Sequence, residues 1–465
     1  MKSRRNHRGA GRIAAAGLAI AGVALTSACA PGSNNKSSGS DETKKASEVE
    51  TDVSKMGDIT LNLWDQESRG AQDASMKELI KQFEAKYPNI KIKRNSQSFD
   101  DLNKTLPLAL SGDASKVPDV VQGNNGRNIL GSFVQGKQVI NLDPYAEAYG
   151  WEDRFPESVL TMSTYSTDGK TFGDGSLYGL PQGGEIVGVY YNKKILEDAG
   201  VKEPQTWDEF TESLKTIKGK GKTPIMLGDA EKWPAVHVFG PVQGAYADAD
   251  EVTNLALGNE GSDWTDDDNV EAAKELQGWA KDGYLNKDYL GTKDQPVAER
   301  FAKGEGAYMI AGSWNNEIIE ASKNKDDYGF FAPPAEDADE GRATTGGTSL
   351  PFTVTSGSKH PDAAAAFIDF ITSDDAMKVY AEKGNMPVLN TADLAPASGV
   401  GKDTYEAYSE VTTDGSLLPY LDYATPTFAD ALGNELQALL QSKKTPEQFG
   451  EALQKDYGDF VKKNG

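Results

Sequence analysis

Asp58-Ile-Thr-Leu-Asn-Leu-Trp64 alternates, with Ile59, Leu61 and Leu63 on one face, which is the period of a strand. A polar loop follows, Asp65-Gln-Glu-Ser-Arg-Gly70, and then Met76, Leu79, Ile80 and Phe83 recur at helical spacing. Pro88-Asn89 stops that helix, and Ile90-Lys-Ile92 opens a second strand. A helix over about 99–111 leads to a third strand, Pro118-Asp-Val-Val121, and to Gln122-Gly-Asn-Asn-Gly126. Strand, helix, strand, helix, strand predicts an α/β fold of βαβ type, with helices on the faces of a sheet. In such sheets a ligand lies beyond the carboxyl ends of the strands. Two loops are singled out: the one after Trp64 and the one holding Asn124 and Asn125.

The second half continues in the same style. Gly188-Val-Tyr-Tyr-Asn192, Thr223-Pro-Ile-Met-Leu-Gly228, Ala307-Tyr-Met-Ile-Ala311 and Leu350-Pro-Phe-Thr-Val354 read as strands. Thr206-Trp-Asp-Glu209 is a capping box before Phe210, Leu214 and Ile217. Helices are expected over about 269–281, from Ala298 to Lys303, from Pro361 onward, and near 426–441 and 446–462; Thr445-Pro446 with Gln448 marks the start of the last.

The N-terminus carries Lys2, Arg4, Arg5, Arg8 and Arg12, then the apolar run 13–25, then Thr26-Ser27-Ala28-Cys29. A basic segment, a short apolar one and a small-residue cleavage site make a secretory signal. The apolar run is shorter than the roughly 20 residues of a spanning helix. Cys29 is the one cysteine, so no intramolecular disulfide holds the fold. Directly after small residues, it resembles the bacterial lipoprotein signal, which implies a lipidated first residue of the mature chain. Residues 30–57 are rich in Ser, Lys, Glu and Asp with almost no large apolar side chains, the composition of a flexible tether.

The formal net charge is −23, and removing a leader that carries +5 takes it to about −28. Such a surface repels nucleic acid and anionic lipid, and no basic stripe interleaved with aromatics appears. Seven Trp and eighteen Tyr supply many flat surfaces.

Four segments together resemble an extracellular solute-binding protein of the carbohydrate-uptake type, the relatives of maltodextrin-binding proteins. They are Leu63-Trp64 before its polar loop; Leu177-Tyr-Gly-Leu-Pro181 followed by Tyr190-Tyr-Asn192-Lys193 and Thr206-Trp207-Asp208-Glu209-Phe210; Phe301-Ala-Lys-Gly304-Glu-Gly-Ala307-Tyr-Met-Ile-Ala-Gly312-Ser-Trp314; and Gly346-Gly347 followed by Leu350-Pro-Phe-Thr-Val354 and 363–373. The resemblance implies a two-lobed periplasmic-binding-protein-like α/β fold with a hinge and an interlobe ligand cleft. On that pattern residues 1–28 are the signal and 29–57 the lipidated tether. Residues 58–182 with 352–386 form the N-terminal lobe, and 183–351 with 387–465 the C-terminal lobe. The crossings fall near Gln182, Leu350 and Met386. The implied partners are a carbohydrate, the permease of an ABC importer, and a membrane reached through Cys29. A monomer without cofactor or metal is expected.

A sugar has hydroxyls at its rim and apolar faces, so its site pairs aromatic platforms with short polar groups. Trp314 matches the aromatic contact position of the resemblance. Trp233, in a polar turn, and Trp64, at a strand end, are further platforms. Trp151, Trp207, Trp264 and Trp279 sit in or beside helices and read as packing. The polar candidates are Asp65, Glu67, Asn124, Asn125, Gln182 and Glu185, with Asp422 and Tyr423 in a late loop. Carboxylates accept charge-assisted hydrogen bonds from hydroxyls. Gly346 and Gly347 let backbone approach a ligand. His237 reads as a helix residue. A secreted glycoside hydrolase is the rival from another class, since some pair of acids is always available. A cell-surface adhesin, or a polyamine or peptide ligand within the same fold, is a further alternative. No Gly-x-Ser-x-Gly elbow occurs, two histidines past the leader are too few for a usual zinc site, and Asp266–Asp268 and Glu336–Glu340 lack EF-hand spacing.

Overall fold

Ile59, Leu61 and Leu63 point into a core because β1 (Ile59–Asp65) is an inner strand of a four-stranded sheet. The computed structural model describes residues 44–113, 116–338 and 340–464; the export segment and Cys29 lie outside the described residues. α1 (Gly70–Lys86) returns the chain to β2 (Ile90–Ser96), and α2 (Phe99–Leu110) returns it to β3 (Val120–Gln122). The sheet order is Phe352–Val354, β3, β1, β2. β1 runs parallel to β2 from Ile59↔Ile90 to Asp65↔Ser96, and parallel to β3; Phe352–Val354 is antiparallel. Met76, Leu79 and Phe83 of α1 join Phe367, Ile368 and Ile371 in the core with Leu61 and Leu63, while Leu102, Leu106 and Leu110 of α2 pack with Val121.

The second sheet is built around Gly184–Asn192, almost every residue of which is buried, so it reads as a continuous apolar run. It is antiparallel to Ala343–Thr348, Tyr308–Gly312 and Tyr328–Phe331, and Ser416–Leu418 lies parallel to Ala343–Thr348 on the outside. Helices Trp207–Gly219, Trp233–Gly244, Asp267–Lys281, Phe428–Leu440 and Pro446–Asn464 feed one large core beside it. The cap at Thr445 is present in full; at Thr206 only half of the expected box forms, the Glu209 carboxylate accepting from the Gln205 amide at 2.9 Å instead. Thr206 Oγ1 accepts from the Glu209 amide at 3.2 Å, and Thr445 exchanges two bonds with Gln448.

The two sheets are linked by three segments that bond to one another. Leu180 is bridged to Phe352 and Gly183 to Pro387. The Val388 amide donates to the Gln182 carbonyl at 2.9 Å, Gly184 to Met386 at 3.0 Å, and Ser349 to Gly183 at 2.9 Å.

Four expectations need correction. Thr223–Gly228 is no strand; only Ile225 bridges, to Tyr308 and Leu285, because Pro224 offers no amide to a ladder. The long helix from Pro361 is two helices, Pro361–Ile371 and Asp374–Glu382, since Ser373 caps the second by accepting the Ala376 amide at 3.3 Å. The helix placed at Ala298 begins earlier, at Asp294. The tether through Gly57 is shorter than its composition suggests. From Lys44 the chain is folded onto the first sheet's helices: Val53 is fully buried in the core of Phe83 and Phe367, and Lys44 pairs with Asp362. Asn89 Nδ2 collects the carbonyls of Val53 at 3.0 Å and Met56 at 3.1 Å. A buried valine, a side-chain amide that satisfies the backbone and the bonds to Asp362 hold this polar segment down. Among the described residues no helix is long and apolar enough to cross a membrane.

Candidate functional site

Tyr308–Gly312 ends in a tight turn, Ser313–Asn315, that carries Trp314 into the space between the sheets. Its indole meets three other rings edge to face: His237 at 5.0 Å, Trp233 at 6.1 Å and Tyr420 at 6.5 Å. Trp233 opens its helix directly after Lys232, whose φ of 71° turns the chain sharply. From the facing sheet, Phe99 of α2 reaches Trp233 at 6.1 Å. Edge-to-face rings at these separations attract one another beyond their buried area.

A polar wall adjoins the rings. Glu185, on the central strand, accepts from the Tyr420 hydroxyl at 3.0 Å, and burial pushes its carboxyl up to about 8. Glu67 is 1% exposed; its Oε1 accepts from Gln122 Nε2 at 2.6 Å, while its Oε2 has no partner. Burial raises the Glu67 carboxyl to about 7, and the two glutamates repel each other. Asp422 is raised to about 6, again by burial. His237 is held neutral by burial, down to about 3, and its Nδ1 is unpartnered. Trp314 Nε1 and Gln72 Oε1 are likewise buried and free. Unpaired donors and acceptors of this kind cost free energy until something satisfies them.

Of the residues picked from sequence, Trp233, Trp314 and Glu185 are brought together with His237. Glu67 stands beside Glu185. Asp65 lies beneath: fully buried, it is gripped by Arg94 through Nε–Oδ2 at 2.7 Å and Nη2–Oδ1 at 2.8 Å, and it also accepts the Glu67 amide at 3.0 Å. Asn124, Asn125 and Gln182 serve the backbone. Asn124 Oδ1 accepts the Asn125 amide at 3.0 Å; Asn125 Nδ2 donates to Met162 O at 2.7 Å; Gln182 Nε2 donates to Ile371 O at 2.6 Å. Gly346 permits a close strand contact, since a Cβ there would lie 2.6 Å from the Glu185 carbonyl. Gly347, at φ 136°, has open space on its Cα. Trp64 does not join the aromatic group. It lines a separate groove of about 560 Å³ with Asn62, Lys93, Asn95 and Lys116, because even-numbered residues of β1 face away from Asp65. Trp151, Trp207, Trp264 and Trp279 are buried packing residues.

Tyr420, Phe99, Arg69 and Glu317 were not singled out from sequence. Tyr420 is two residues from Asp422, and Arg69 lies in the loop already flagged after Trp64. No periodicity marks either as facing the cleft. Among the described residues no cluster of His, Cys, Asp and Glu is arranged to hold a metal ion.

Residues 67–378 match the bacterial extracellular solute-binding protein family. The multiple sugar-binding protein of Streptococcus mutans is 28% identical over 343 residues, 72% of this chain and 76% of that one. The diacetylchitobiose binding protein of Streptomyces coelicolor is 29% identical over 373 residues, 74% and 79% of the two chains. A solved chitin oligosaccharide binding protein superposes with a TM-score of 0.73 at 26% identity, covering 87% of this chain and 99% of that one.

Proposed function

The chain belongs to the bacterial extracellular solute-binding protein family, and from that premise we propose that it is the sugar receptor of an ABC importer. In this reading an oligosaccharide enters the cleft between two lobes, one around each sheet, and is passed unchanged to a membrane permease. The chain is exported and held at the membrane by a lipid on Cys29.

The observation that carries the reading is the meeting of Trp314, Trp233 and Tyr420 with Glu185, whose aromatic faces and carboxyl group suit the two kinds of surface a pyranose presents. Trp314 stacks on a ring face, and Glu185 accepts sugar hydroxyls. Glu67, with one oxygen unpaired, is a second acceptor, and Trp233 and Asp422 border further units. Asp65 positions Glu67 and does not touch the ligand. The names of the relatives, a multiple sugar-binding protein and a diacetylchitobiose binding protein, support a carbohydrate as cargo.

The test is calorimetric titration of the body beginning at Thr43 against xylo-, malto-, gluco-, raffinose- and chito-oligosaccharides. Micromolar or tighter binding of one class, with the sugar recovered intact, is expected. No heat with any class would move the reading to a non-sugar solute, and release of smaller sugars would move it to a hydrolase.

A further inference from the structure

Arg69, in the loop between β1 and α1, reaches across the cleft to the other sheet's elements. Its Nη2 pairs with Asp294 Oδ2 at 3.0 Å, and its Nη1 donates to Asn315 Oδ1 at 3.0 Å and to the Trp314 carbonyl at 3.5 Å. Both side chains of the pair are largely shielded, at 19% and 9% exposure. Two residues on, the Ala71 amide at the start of α1 donates to the Glu317 carboxylate, which belongs to the helix after Trp314. α1 is 17 residues long, so a carboxylate from the facing side also meets the positive end of its dipole. The same short segment, 69–71, thus holds Asp294 by an ion pair and Asn315 and Glu317 by hydrogen bonds. In the cleft behind it, the cavity bounded by Gln72, Glu185, Trp314 and Tyr380 measures about 20 Å³, enough for one water. A pyranose ring enters only if the walls part, and parting them stretches the Arg69–Asp294 pair.

We propose that Arg69 is an affinity-setting residue: with Asp294 it latches a closed, ligand-excluding form of the cleft that sugar binding must break. The latch lowers the fraction of molecules competent to bind, and apparent affinity falls by that fraction. It differs from a ligand contact in the sign of its effect. Removing a contact weakens binding; removing the latch tightens it.

The proposal rests on the receptor reading only for its binding arm. Small-angle scattering of the ligand-free chain needs no sugar, and it compares wild type, Arg69→Ala, Arg69→Lys and Asp294→Asn, each first checked for a cooperative melt. The wild type is expected to be compact, Arg69→Ala expanded, and Arg69→Lys intermediate, because an ammonium keeps the charge and loses the fork. Asp294→Asn, which leaves the bonds to Asn315 and the Trp314 carbonyl in place, is expected to expand less than Arg69→Ala. Titration with the oligosaccharide that the wild type binds is expected to show about tenfold tighter binding by Arg69→Ala. A ligand-free Arg69→Ala chain as compact as wild type overturns the latch, as does weaker sugar binding by that variant. If the wild type binds no sugar, the receptor reading fails, and the scattering comparison still decides the latch.

Discussion

The indole of Trp314 lies across the bare α-carbon of Gly312: a Cβ at Gly312 would come within 2.0 Å of the ring. The residue that ends the strand therefore also sets the plane of the platform. Gly312→Ala is expected to displace the indole while the two sheets still form, so sugar affinity falls at least about tenfold with a near-native far-ultraviolet spectrum. Titration alongside circular dichroism checks it. Unchanged affinity would show that the ring's present plane is not the one the sugar uses.

Trp314→Ala removes the proposed platform itself. Affinity is expected to fall by roughly 1–3 kcal/mol or more, as for other buried aromatic anchors. Equal affinity by calorimetry would take Trp314 out of the site.

The buried carboxyls make stability depend on pH in a definite direction. Burial pushes the carboxyls of Glu185, Glu67 and Asp229 up to about 8, 7 and 7 from ordinary values of 4.5, 4.5 and 3.8. Between the two sets of values the folded chain holds protons that the unfolded chain has released, so stability falls as pH rises from about 4.5 to about 8. His237 acts oppositely: lowered to about 3 from 6.5, it favours folding as pH rises through that lower window. With Asp422, raised to about 6, four carboxyls outweigh one imidazole, so the melting temperature is expected to fall from about pH 5.5 to about pH 8.5, and Glu185→Gln is expected to flatten that fall. A melting temperature that rises over this range would contradict the assignment.

The elements legible in the sequence were those with a strong period or a cap: β1, α1, β2, α2 and the helices starting at Trp207 and Pro446. What escaped was decided by single residues acting at a distance. Val53 turns a polar stretch into part of the body, and Pro224 removes a strand that its neighbours favour. In the aromatic group, Trp314 was singled out by the resemblance and Trp233 by its polar turn, and the two rings meet at 6.1 Å. Tyr420 was not singled out, since its role depends on Glu185, 235 positions away. Asp65 misled for a physical reason: an acid at a strand end suits a ligand and a buried arginine equally, and Arg94 reaches it from β2, two places before its register partner Ser96.

Arg94→Ala tests that last pair. It strands Asp65 as a buried charge without its partner, which costs roughly 3–5 kcal/mol. Urea unfolding should show this loss, and Asp65→Asn in the same background should recover part of it. A change below about 1 kcal/mol would mean that water replaces the guanidinium.

The N-terminal strap gives a further check. A chain beginning at Asp58 lacks Val53 and the Lys44–Asp362 pair. It is expected to be about 2 kcal/mol less stable in urea than one beginning at Thr43, the order of one fully buried valine. Equal stability would show that the cost of ordering the strap cancels what its contacts contribute.

The three linking segments near Gln182, Ser349 and Pro387 are bonded edge to edge, so they cannot bend one at a time. Any rotation between the sheets then has a single axis, like the spine of a book, and displacement grows with distance from it. Glu185, two residues from Gly183 in the spine, would keep nearly fixed spacing through such a rotation, whereas contacts farther from the spine would part more. A sugar unit seated at the spine would be gauged strictly, and units toward the fore-edge would be tolerated at graded lengths.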